Sequence, residues 1–105
     1  MRIQWAEPAV LDLESIRDYI ARDSEFYALE FTERIIDVIE KLYDFPLMGR
    51  KVPEVDEDAI REILFYNYRI IYKVKDELII ILSIIHAVMN LDNRKLFPWE
   101  VVDNS

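Results

Sequence analysis

Apolar and polar positions follow two different periods along this chain: a short alternating start gives way to helical spacing, and strand spacing returns between about residues 45 and 60. The opening Arg2-Ile3-Gln4-Trp5 alternates and reads as a short strand with Ile3 and Trp5 on one face. Glu7 and Pro8 then start a helix, because proline in a first turn lacks only an N–H that has no helical partner. Ala9, Leu13, Ile16 and Ile20 recur at helical spacing, with the charged positions largely elsewhere. Asp23-Ser24 breaks the pattern and offers an N-cap to a second helix, whose stripe is Ala28, Phe31, Ile35, Val38 and Leu42. Two such stripes fit a helical hairpin resting on a sheet.

Pro46 is expected to end the second helix, and Gly49, the single glycine, to supply a turn with positive φ. Arg50 to Asp58 is polar, contains Pro53 and reads as a loop. Three strands follow at 60–65, 68–75 and 78–86, with Tyr66-Asn67 as a tight hairpin and Asp76-Glu77 as the second turn. The last strand is apolar at nearly every position, which implies an interior place covered on both faces. Asn90 to Lys95 is read as a helical turn, and Phe97-Pro98-Trp99 as an aromatic tail that either docks on the core or anchors a partner. The expected fold class is α+β, a single domain over 1–105 with its core at about 3–86 and a tail at 87–105: an N-terminal strand, then two antiparallel helices on a small twisted antiparallel sheet of about four strands.

Composition narrows the chemistry. With 105 residues, 52% of them hydrophobic and 32% charged, the chain suits one soluble core. The absence of cysteine removes disulfides, thiolate metal sites and thiol nucleophiles, and suits a reducing cytoplasm. A single histidine leaves little from which to build a catalytic metal centre, so no metal or cofactor is expected. No phosphate-cradling glycine loop and no nucleophile elbow are present. The apolar run from Leu78 to Ile85 is too short to span a bilayer, so no membrane partner is expected.

Charge is unevenly placed. Met1 to Asp58 holds 7 basic and 15 acidic residues, whereas Ala59 to Ser105 holds 6 of each, so the formal net charge of −8 lies in the first part. Nucleic-acid binding draws on clustered Lys and Arg, and any such site has to sit on the second half against the field of the first.

The order of these pieces resembles the RelE/ParE superfamily, the small toxins of bacterial type II toxin–antitoxin systems, and most closely its ParE-like, plasmid-stabilisation branch. The resemblance is carried by Trp5, Ala9, Asp12-Leu13, Ile16 and Asp18-Tyr19-Ile20, then Ala28 and Phe31. It continues through Phe45-Pro46, Gly49-Arg50, Val52-Pro53-Glu54, Ile60-Arg61-Glu62, Tyr68-Arg69-Ile70-Ile71-Tyr72 and Ile84-Ile85-His86. It implies a toxin neutralised by a cognate antitoxin, alone or in a homodimer or hetero-oligomer. In the ParE-like branch the implied action is inhibition of DNA gyrase. In the RelE-like alternative it is metal-independent, ribosome-dependent cleavage of mRNA. A third alternative is a toxin fold that keeps antitoxin binding without toxicity.

The pattern departs from the superfamily after the last strand. Many relatives place basic residues there, but this chain reads His86-Ala87-Val88-Met89-Asn90 and has no base until Arg94-Lys95. A ribonuclease of this class has to activate a 2′-hydroxyl and neutralise the scissile phosphate. The candidates are Arg69 as phosphate clamp, His86 as acid or base, and Arg61 or Lys73 in support. Each also has a structural reading: Arg69 pairing with Glu62 across the hairpin, Arg61 pairing with Glu54 or Asp56, and His86 closing an apolar strand. The missing bases and the acidic charge place the gyrase inhibitor, a non-enzymatic protein, ahead of the nuclease. The expected antitoxin-binding side carries Arg50, Arg61, Arg69 and Lys73, with Phe97 and Trp99 as candidate anchors.

Overall fold

A computed structural model describes residues 1–87, in the order β1 (Arg2–Trp5), α1 (Glu7–Ala21), α2 (Glu25–Glu40), β2 (Arg50–Lys51), β3 (Ile60–Phe65), β4 (Tyr68–Lys75) and β5 (Leu78–His86). Pro8 occupies the first turn of α1. Ser24 caps α2, its side chain accepting from the Tyr27 amide at 3.0 Å. The second helix stops at Glu40, before Pro46, and a 3-10 turn over Lys41–Tyr43 carries Leu42 into the core. Its buried stripe is Ala28, Phe31, Thr32, Ile35 and Ile39, so Ile39 takes the fully buried place expected of Val38, which is half-buried.

The sheet has five strands in the order β1-β5-β4-β3-β2. The expected α+β architecture is present, with two additions. Arg50–Lys51, read from sequence as loop, is a short edge strand antiparallel to β3. β1 runs parallel to β5, so the sheet is mixed. A bulge between Ile71 and Tyr72 leaves Leu82 without an opposite residue in the β4–β5 ladder.

The two faces of the sheet have separate cores. The helices cover one, where Ala9, Ile16, Phe31, Ile35, Ile39 and Leu42 meet Ile70, Tyr72, Ile79, Ile81 and Ile84. On the other face Ile60, Ile71, Leu82 and Ile85 pack with Val52 and Val55 of the segment between β2 and β3. Asp12 ties α1 to β5. Its Oδ2 accepts from the Ser83 hydroxyl and from the Ile84 amide, both at 2.9 Å, where β1 has already ended and β5 lacks a strand partner on that edge. This satisfies an amide that burial would otherwise leave at a cost.

Gly49 is not in the positive-φ region. Its requirement is space: a Cβ there would stand 2.6 Å from the Glu62 carbonyl and 2.7 Å from the Tyr72 hydroxyl. Positive φ falls instead on Tyr66 (51°) and Asp76 (55°), the first loop residues of the two hairpins. Asp tolerates that region, whereas a bulky ring there is unusual.

Candidate functional site

The candidate site lies on the sheet face away from the helices, where strand alternation puts Ile60, Glu62 and Leu64 of β3 beside Arg69 and Ile71 of β4. At its centre is a four-residue ion network. Arg69 Nε donates to Glu62 Oε1 at 2.7 Å, while Nη1 and Nη2 donate to Glu54 Oε2 and Oε1 at 2.8 and 2.7 Å, a two-pronged fork. The other Glu62 oxygen accepts from Arg50 Nε at 2.6 Å across the β2–β3 pair. The Glu62 side chain is fully buried and that of Arg69 is 7% exposed, whereas that of Arg50 is more than half exposed. Two guanidinium groups and two carboxylates therefore sum to zero in a largely dry place. The hydrogen bonds to Glu54 chiefly, and those to Glu62, hold the Arg69 guanidinium above its ordinary value against the opposing effect of burial.

An open cleft of about 370 Å³ adjoins the network, lined by Arg50, Pro53, Glu54, Leu64, Arg69 and Ala87. Its two arginines face anions already supplied by the chain. The fork that a phosphate needs from Arg69 is occupied by Glu54, so phosphate entry requires displacement of that carboxylate.

The other expected site residues are dispersed. Arg61 projects to the helix side of β3, donating to the Gly49 carbonyl at 2.9 Å and the Asp58 carbonyl at 3.1 Å. It clips both ends of the β2 loop through backbone oxygens, not through Glu54 or Asp56. Tyr72 supports the same turn, accepting from the Gly49 amide at 3.0 Å and donating to the Pro46 carbonyl at 2.9 Å. Burial is the main reason its phenol is raised above the ordinary value; the Gly49 bond and nearby Arg61 act the other way. His86 is exposed at the end of β5, its ring edge-on to Tyr68 at 5.7 Å, on the helix side. Arg69 and His86 thus belong to opposite faces of the sheet, and Arg61 pairs with Tyr72, four positions along β4 from Tyr68, the partner of His86. Lys73 is half-buried on β4 opposite Ile60. Phe97 and Trp99, with the expected helical turn at 90–95, lie outside the described residues.

Two internally paired acids, one in the site and one tying α1 to β5, had signals in the sequence. Glu62 shares the apolar parity of Ile60 in its strand, and Asp12 stands on the Ala9–Ile16 stripe of its helix. An acid on a buried stripe demands an internal partner. The Arg69 partner of Glu62 is local to the hairpin, whereas the Ser83 partner of Asp12 depends on pairing between distant segments.

The architecture is thus a helical hairpin on a five-stranded mixed sheet, with a loop held over the open face by ion pairs. Residues 3–91 match the family described as ParE toxin of type II toxin–antitoxin system, parDE. The chain belongs to that family. A solved structure described as "Chromosomal ParDE TA system from P. aeruginosa" matches with a TM-score of 0.69 over 82% of this chain and 95% of its own, at 24% identity, a likeness of fold. Comparison with curated proteins returns no match. Among the described residues no helix is long and apolar enough to cross a membrane.

Proposed function

We propose that the protein acts in the cytoplasm as the toxin of a type II toxin–antitoxin pair, arresting growth by binding DNA gyrase and being neutralised by a cognate antitoxin. Membership of the ParE toxin family over residues 3–91 is the observation that carries this reading. The engagement of Arg69 by Glu54 and Glu62 weighs against mRNA cleavage, because a phosphate clamp needs a guanidinium open to its ligand. A non-catalytic inhibitor needs no converging acid and base.

The antitoxin is assigned to the side that carries Arg50 and Lys73, with Arg61 and Arg69 holding the loop beneath it and the Phe97 and Trp99 tail as a further anchor. Charge reversal at Arg50 and Lys73 is expected to weaken antitoxin binding. Unchanged affinity in those variants, with loss on changing the outer helix surface, would move the contact elsewhere.

The decisive experiment is inducible expression in a bacterium, together with a supercoiling and DNA-cleavage assay on purified gyrase. Filamentous arrest, intact mRNA and stabilised cleaved DNA are expected. Ribosome-bound mRNA cut at defined sites would establish the nuclease instead. Soluble, folded protein that binds antitoxin without arresting growth would establish a toxin fold without toxicity.

A further inference from the structure

The β3–β4 hairpin ends in a connected set of rings that neither the ion network nor the cleft uses. Tyr66 is 66% exposed, and its ring lies edge-on to Phe65 at 4.8 Å and tilted to Phe31 at 5.7 Å. Phe31 also meets Tyr68 edge-on at 5.9 Å. The Tyr68 phenol is raised chiefly by burial and secondly by nearby Tyr19, which extends the surface to the end of α1. Tyr19 is itself two-thirds exposed.

Two cations border these rings. Arg34 donates to the Tyr66 hydroxyl at 3.2 Å and to Glu30 at 2.7 Å, and its side chain is half exposed. The Arg22 guanidinium lies 5.9 Å from the centre of the Tyr19 ring and makes no ion pair among the described residues. With Glu30 included, these charged groups sum to +1 on a chain whose net charge is −8. The Tyr66 hydroxyl accepts from Arg34 and leaves its own proton for an outside acceptor.

The backbone adds an independent observation. Tyr66 holds φ at 51°, a region that side chains with a Cβ disfavour, while the following Asn67, which tolerates it better, does not occupy it. The loop conformation sets the direction of the Tyr66 Cβ, the contacts with Phe31, Phe65 and Arg34 hold its ring, and an anchor held in advance loses little freedom on binding.

We propose that the hairpin tip, Tyr66 and Phe65 with Arg34 beside them and Tyr19 and Arg22 at the margin, is the surface that docks an apolar, carboxylate-bearing segment of the protein target. This rests on the reading that the protein acts by binding gyrase. Exposed tyrosine and arginine are the residue types that dominate protein interfaces. The carboxylate is drawn by the Tyr66 hydroxyl and the remaining N–H groups of Arg34. A nucleic-acid occupant needs several uncompensated cations, whereas Arg34 here already pairs with Glu30 and leaves Arg22 alone at the margin.

The test compares wild type, Tyr66→Asn and Arg34→Gln for binding to immobilised purified gyrase, for binding to a single-stranded RNA oligonucleotide, and for melting temperature. Asparagine accepts positive φ, so Tyr66→Asn is expected to keep its melting temperature while losing about tenfold or more in gyrase affinity. Arg34→Gln is expected to lose affinity most at low salt. Variants that bind gyrase like wild type would overturn the docking surface and leave the gyrase reading standing. Wild type that fails to bind gyrase would overturn both. RNA binding that depends on Tyr66, without gyrase binding, would replace the protein occupant by a nucleic acid.

Discussion

The Tyr72 hydroxyl bonds the Gly49 amide at 3.0 Å and stands where a side chain on residue 49 would begin, 2.7 Å from the position of a Cβ. One phenol in the helix-side core therefore sets both the shape of the turn before β2 and the identity of its glycine. Because φ is not positive there, the effect of substitution is governed by contact. Gly49→Ala is expected to lose about 1–3 kcal/mol by overpacking against the Tyr72 ring and the Glu62 carbonyl. Urea denaturation measures this, and a loss below a few tenths would show that the turn yields.

Tyr72→Phe removes a donor and an acceptor together, leaving the Gly49 amide and the Pro46 carbonyl to find other partners. A loss of about 1–3 kcal/mol is expected at neutral pH. The pH profile separates this role from packing. Folding raises the Tyr72 phenol above its ordinary value near 10, so beyond pH 10 the unfolded chain releases a proton that the folded chain keeps. The contribution is complete below that pH and disappears as pH rises through the folded value. Stability is expected to fall with increasing pH in that alkaline range. The fall should be shallower in Tyr72→Phe, with Tyr68 supplying the remainder.

Arg69→Ala strands the fully buried Glu62 carboxylate with only Arg50 beside it. The expected loss is about 3–5 kcal/mol, which makes diminished toxicity in that variant uninformative unless folding is measured. The double variant Arg69→Met/Glu62→Leu is expected to lose less than either single change, because the fully buried carboxylate leaves together with its partner, while the Glu54 side chain keeps 15% exposure to solvent. A double-mutant cycle in chemical denaturation tests this coupling.

Asp12→Ala should expose the edge of β5. The Ser83 hydroxyl and Ile84 amide lose a shared charged acceptor, at about 1–3 kcal/mol. Faster hydrogen exchange at the Ile84 amide than at its neighbours is the specific readout. Uniform acceleration along β5 would instead mean a global loss of stability.

The extents of β3, β4 and β5 were legible because turns of two residues fix the register of hairpins whose strands have a clear apolar parity. The helices were legible from their stripes, although the 3-10 turn at Lys41–Tyr43 hid where α2 stops. The short strand Arg50–Lys51 carries no periodic signal, since its position depends on Glu62 and on the Arg61 clip. The direction of β1 was equally hidden, because local alternation does not encode which strand will be its neighbour. At the site, sequence offered Glu62 as a partner for Arg69, and the structure adds Glu54 from a loop whose path has no local code. Gly49 was legible as special, but the crowding that makes it so comes from Tyr72, which is 23 residues away.

The parallel pairing of β1 with β5 has a consequence during synthesis. Arg2 lies opposite Leu78, so β1 waits for β5 to be made before its hydrogen bonds can form. Loop-closure entropy must be overcome across almost the whole domain, which slows the final step relative to the local β3–β4 and β4–β5 hairpins. A ribosome that has not yet released β5 holds a chain that cannot complete its sheet. This long-range contact therefore keeps the sheet incomplete until β5 has been made.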